Sequence, residues 1–380
     1  MFKAATLSAP PAIQTLDALR IHLQAAVELE HSTIPPYLAA LYSLRPGANP
    51  EAAENIRTVV VQEMLHMILA ANILNAVGGA PSIDDPRFVP IYPATLPIGR
   101  KAPIVVNIRR FSPEAIATFL AIESPAHPPR PKAPPKALLR ATPPGQLLEA
   151  LRRGDIYGSI GDFYAAIDQG LQVLEAQAKS RKKTIFTGDP ARQVDDRYYY
   201  NAGGEVIAVR DLEGARRALA EIVDQGEGYG DTIDDGDDVV FHQPSERAHW
   251  YRFNEIAQEQ RYGPGDKPGD SPSGPRMPVD YSAAAVYPMI DNPQPGAYAD
   301  PDLVRLSDRF SATYTGLLRL LHLGMNGQPA RLLEAVNLMF EARNQATDLM
   351  RNPIAGTAVN AGPCFRYVAA APPAPAGPTP

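Results

Sequence analysis

Two Glu-x-x-His pairs stand out in this sequence, Glu63–His66 and Glu246–His249. On a helix, residues i and i+3 project from one side, so each pair can present a carboxylate and an imidazole to one point. Glu63 and His66 fall within an apolar stripe that runs through Ile56, Val59, Ala70, Ile73 and Val77. Glu246 and His249 lead a second stripe through Phe253, Ile256 and Gln260. Glu30 interrupts a third, made of Leu16, Leu19, Leu23, Ala26, Thr33 and Tyr37. Burying an unpaired carboxylate is costly or forces its protonation. Several that face one another need a cation. Two divalent metals provide it, bridged by carboxylates and capped by imidazoles that leave positions open for oxygen or substrate. A single Glu-x-x-His is a frequent accident of a helix surface, and a Glu in a first turn is favoured by the helix dipole anyway. Two pairs together with Glu30, all on apolar stripes, form the specific signal.

A further carboxylate is expected from a third helix. Asp162, in Gly161-Asp162-Phe163-Tyr164, is the best placed. It lies beside the apolar face Ile156, Ile160, Phe163, Ile167 and Leu171, not within it, and is one methylene shorter than Glu. The predicted metal ligands are therefore Glu30, Glu63, His66, Asp162, Glu246 and His249. Glu28, turned away from the stripe with Gln24 and His31, reads as exposed or as a supporting residue. His22, His31, His127 and His322 read as structural, and His242 as at most a neighbour of the site.

The elements that must position these residues are four long helices, at about 16–44, 52–77, 156–178 and 245–260. The second stops at Gly78-Gly79, an expected terminator. Pro35-Pro36 should kink the first just beyond Glu30, because two N–H donors are missing. Ile104–Ile108 predicts a short strand and Pro113–Glu123 a short helix, followed by a proline-rich connection at 125–144. An insertion at 185–242, with a helix near 212–224, is placed to cover the site. Helices at about 302–323 and 330–350 follow, and the tail 368–380 reads as disordered. One Glu from each of two helices plus Glu-x-x-His from two others is the ligand set of ferritin-like carboxylate bundles. The predicted fold is all-α: one ferritin-like four-helix bundle over residues 1–367, with a long insertion between helices 3 and 4 and additional C-terminal helices.

Composition narrows the function. The chain has 380 residues and a net charge of −6, which gives no reason to expect nucleic acid or a membrane surface as a partner. Cys364 is the one cysteine, which excludes disulfides within the chain and cysteine-based zinc or iron–sulfur sites. Residues 1–11 lack the apolar run of a signal peptide, and no stretch is expected to reach the ~20 apolar residues of a membrane helix. A cytoplasmic protein is the default expectation, with room for a homo-oligomer. The 40 prolines collect in 125–144, 264–301 and 372–380, where regular structure should be absent.

The run from Glu28 to Leu44, ELEHSTIPPYLAALYSL, resembles the ferritin-like domain of the iminophenyl-pyruvate dimer synthase family of violacein-type bisindole biosynthesis. Gln62–Met67 with Asn72–Gly79 is similar to its second helix and Ile160–Tyr164 to its third. Gln225–Gly228, His249–Phe253 and Gly362–Phe365 are similar to later blocks, so the resemblance spans most of 15–367. It implies ligands at Glu30, Glu63, His66, Glu246 and His249. At the third-helix position the family usually has Glu, where this chain has Asp162. The pigment enzymes couple tryptophan-derived imines and are longer, haem-associated proteins. This chain has no identifiable haem motif, and a shared fold does not carry a substrate with it. The leading expectation is an oxidoreductase with two iron ions, manganese being the alternative, acting with dioxygen on a small molecule such as an amino-acid derivative. The alternatives are a non-catalytic metal-binding or storage protein, a scaffold that has lost metal, and an imine-coupling enzyme without redox-active metal.

Overall fold

The computed structural model describes residues 13–96, 104–125, 144–153, 157, 159–199, 203–230, 232–237 and 246–369. His127, His242, most of the proline-rich connection and the end of the tail lie outside them. Helix α1 (Leu16–Tyr42) starts at Thr15, whose side chain accepts from Ala18 N, and carries Asp17 in its first turn. Helix α2 (Pro50–Ala76) opens with proline at its first position and closes at Gly78, which takes φ 73°. The two helices run antiparallel: Arg20 near the start of α1 donates to Val77 O beyond the end of α2, at 2.8 and 3.0 Å. Among the described helices, α2 alone is long and apolar enough to cross a membrane, contrary to the expectation from sequence. It is the core helix here, with nineteen of its side chains buried.

The two prolines do not end α1. Pro36 leaves Ser32 O without its helical donor, and Tyr92 Oη supplies a substitute at 2.9 Å. A two-stranded antiparallel ribbon, β1 (Ala94–Thr95) with β2 (Val105–Val106), follows. Helix α3 is Pro113–Ile122 and α4 is Pro144–Arg152. Arg152 reaches back to α1 and binds both oxygens of Glu28, at 2.7 and 2.8 Å. Glu28 is thus a buried partner of α4, not an exposed residue.

Helix α5 (Ile160–Ser180) packs on α1, and α6 (Leu212–Glu227) packs on both α5 and α2. These four close the bundle. Its fourth side therefore comes from the segment read as an insertion. The helix expected at about 245–260 is the shorter α7 (His249–Gln258), which packs against α2, α3 and α6 at one end of the bundle. Helices α8 (Pro301–Gly324) and α9 (Arg331–Arg351) form a hairpin, with α9 resting on α1.

Candidate metal centre

Glu30 and Thr33 on α1 face Glu63 and His66 on α2, all four buried. His66 Nδ1 lies 3.3 Å from Glu30 Oε2, and Thr33 Oγ1 donates to Glu63 Oε2 at 3.0 Å. His249, the first residue of α7, is fully buried. Its Nδ1 lies 2.9 Å from Glu63 Oε1 and 3.5 Å from Glu123 Oε2 but makes no hydrogen bond. The donor atoms form two triads, Glu30–Glu63–His66 and Glu63–Glu123–His249, each within 4.8 Å. Glu63 belongs to both. The imidazole rings lie 5.4 Å apart between centroids.

The orientation of each imidazole follows from its other nitrogen. His66 Nε2 lies 2.9 Å from Gln225 Oε1, and His249 Nε2 lies 3.0 Å from Gln62 Oε1. Gln225 cannot turn its amide round: its Nε2 already donates to Gly203 O at 2.9 Å and to Glu221 Oε1 at 2.7 Å. The Gln62 amide nitrogen points at Asp235 Oδ2, at 3.4 Å. An amide oxygen only accepts, so Nε2 carries the hydrogen on both rings and Nδ1 presents a lone pair. Both lone pairs face carboxylate oxygens. Acceptor against acceptor in a buried site is repulsive, and a cation placed between them turns every contact attractive. Three carboxylates and two neutral imidazoles thus fit a two-metal centre in donor type, charge and orientation.

The carboxylates register the same crowding. Burial, then the charges of Glu123 and Glu30, push Glu63 well above the usual carboxylate range. Without a cation, a proton on Glu63 takes the cation's place. Two tyrosines complete the shell: Tyr164 Oη donates to Glu30 Oε1 and Tyr37 Oη to Glu123 Oε1. Burial and the neighbouring carboxylates push both phenols well above their ordinary range. Behind Gln225, Glu221 is driven up to about 9 by burial and by Asp237, Asp235 and Asp224, so it remains a neutral carboxyl.

Four of the six predicted ligands converge: Glu30, Glu63, His66 and His249. Glu246 does not. Residues 246–248 precede α7, so the i, i+3 relation to His249 is not helical. The Glu246 side chain is 46% exposed and pairs with Arg252 Nη1 at 2.9 Å, while its backbone N–H donates to Asp235. Its place is taken by Glu123, the residue capping the end of α3. Asp162 is also displaced. It stands in the first turn of α5, half-buried, with its N–H bonded to the Ser159 cap. Two residues on, Tyr164 makes the contact that α5 contributes to the centre. Glu123 carried a legible signal: it follows Ile116 and Phe119 on one face of α3, an acid interrupting an apolar stripe. Gln62 and Gln225 carried none, since a glutamine's partner is set by tertiary packing.

The sequence profile of the ferritin-like family matches residues 23–258, a span that holds every residue of the centre. This chain belongs to the ferritin-like family. The ferritin-like fold is also that of a crystal structure of a ferritin-like protein from Caulobacter vibrioides. That protein is 24% identical with a TM-score of 0.58, over 94% of this chain and 100% of the other. A search of functionally curated proteins gave no match.

Beside the ferritin-like centre lies a narrow cleft of about 30 Å³, whose lining includes Glu123 and Tyr164 together with Ile122, Ile160, Ile222 and Glu227. It offers room for a molecule of about the size of water or dioxygen.

Proposed function

We propose that this protein is a dinuclear-metal oxidoreductase that holds two iron ions, with manganese as the alternative, and uses dioxygen to oxidise a small molecule. The observation that carries the reading is the pair of triads joined at Glu63, each with an imidazole lone pair aimed into it. Glu30 and His66 would hold one ion, Glu123 and His249 the other, and Glu63 both. Two bound irons would supply electrons for reducing dioxygen. The protein's part is to fix the donors. Gln225 and Gln62 hold the imidazoles in the Nδ1-donating tautomer. Thr33, Tyr37 and Tyr164 orient the three carboxylates, and each tyrosine hydroxyl is a proton donor beside the centre. Bulk water is kept out by the aromatic packing of Tyr37, Phe119 and Phe253.

The cleft at Glu123 and Tyr164 favours an enzyme over a sealed scaffold, because it leaves space for a small molecule beside a carboxylate of the centre. We extend the reading to an amino-acid-derived substrate on the motif resemblance to the iminophenyl-pyruvate dimer synthase family alone. The test against a storage role is iron uptake under air. An enzyme keeps about two irons per chain with excess ferrous iron and gives a transient visible absorption on mixing with oxygen. Uptake of many irons per chain would mean a store, and full occupancy with neither transient nor uptake a redox-silent centre.

A further inference from the structure

The metal centre occupies one face of the α1–α2 pair. A different face of the same two helices lines a separate cavity of about 120 Å³, roofed by α8 and α9. The residues alternate along the chain. His31 follows Glu30, Met64 follows Glu63 and Met67 follows His66, and one residue turns a helix by about 100°. The cavity therefore lies at the level of the centre with the two helices between them.

Its walls are apolar and adaptable. Ile34 and Leu38 continue the α1 side, and Phe310, Leu318, Val336 and Met339 come from the C-terminal hairpin. Thioethers and aromatic rings side by side accommodate flat or irregular apolar guests. No Lys, Arg, Asp or Glu lines it among the described residues. Its polar atoms are those of His31 and of Tyr42, Tyr198, Tyr199 and Tyr314; His31 Nε2 and Tyr314 Oη are joined at 2.6 Å, and Tyr199 Oη donates to Val61 O. His31 is 3% exposed, and its Nδ1 has no hydrogen-bond partner. Buried polar atoms are ordinarily satisfied, and concave apolar pockets with a few polar groups are where small molecules ordinarily bind. The two features occur together, and one guest would answer both.

The geometry points to a second ligand site here, for a neutral aromatic molecule of about one ring that carries a single hydrogen-bonding group for His31. A carboxylate or ammonium is disfavoured, because no charged side chain among the described residues lines the pocket to pair with it. The site goes beyond the metal-centre reading, since none of its residues is a proposed ligand.

The test uses p-cresol, toluene and benzoate as probes, titrated calorimetrically into the protein without added iron, so the result does not depend on the metal reading. Toluene and p-cresol should bind saturably, p-cresol about fivefold more tightly for its one hydrogen bond. Benzoate should not bind. Val336→Trp, on the wall contributed by α9, should fill the cavity and weaken both ligands at least tenfold. His31→Phe should keep toluene binding and abolish the preference for p-cresol, with circular dichroism confirming the fold of each variant. Absence of saturable binding by both apolar probes would overturn the proposal. So would benzoate binding as tightly as p-cresol, or a folded Val336→Trp protein with unchanged affinities.

Discussion

Replacing Gln225 by Leu removes one oxygen acceptor and one amide donor from beside the centre while keeping the volume nearly constant. His66 Nε2–H then loses the partner at 2.9 Å that fixes its tautomer. Glu221, a neutral carboxyl, and Gly203 O lose the amide they share. Outer partners of ligating histidines typically contribute about 10- to 100-fold in metal affinity. At 1.4 kcal/mol per decade the expected loss is about 1.4–2.8 kcal/mol. The loss should fall on one ion only, because Gln225 touches His66 and not His249. Gln62→Leu should produce the mirror image through His249. Competition against a coloured chelator, fitted as two sites, reads both affinities. Equal loss at the two sites, or none at either, would refute the argument that these glutamines set the imidazoles.

The remaining predictions concern a ligand, a proton and a kink. Glu123→Ala should weaken one of the two ions by more than tenfold, whereas Glu246→Ala should leave both affinities unchanged, as the same competition assay would report. Because the folded state raises the Glu63 pKa, Glu63 in the metal-free protein holds its proton in the folded state above about pH 4.5, where the unfolded chain loses it. Its contribution to stability should therefore be greatest below that value and fall as pH rises, a slope that Glu63→Gln should remove. Glu221 adds to the fall up to about pH 9. Metal, by replacing the Glu63 proton, should flatten the slope and release protons into weakly buffered solution; denaturant titrations across pH and a pH-indicator dye check the two parts. Tyr92→Phe strands the Ser32 carbonyl beneath Pro36 and should cost about 1–3 kcal/mol in urea unfolding.

Where the sequence was informative, the cause was periodicity. Acids and histidines that break the stripes of two long helices can be located without a structure, and α1 and α2 place Glu30, Glu63 and His66 where the pattern puts them. The pattern gave way where a helix boundary decided the outcome. Glu246 shares a helical spacing with His249, but the helix begins only at His249, so that spacing no longer aims the carboxylate. Glu123 ends a helix of ten residues, too short to be matched to a bundle position. Asp162 gave way to Tyr164 because a tyrosine read as core is also long enough to reach Glu30. The helix Leu212–Glu227 was visible in sequence, but its place in the bundle depends on long-range packing against α2 and α5. The family itself was legible down to the ferritin-like fold, which the profile match over 23–258 establishes.

The central claim is that two metal ions share Glu63. Anaerobic titration with ferrous iron, read by elemental analysis after gel filtration, tests it most directly. The account predicts about two irons per chain for the natural sequence and loss of both in Glu63→Ala, because that one carboxylate serves both triads. His66→Ala and His249→Ala should each retain about one. Two irons retained by folded Glu63→Ala would contradict the account, as would one iron or none in the natural sequence.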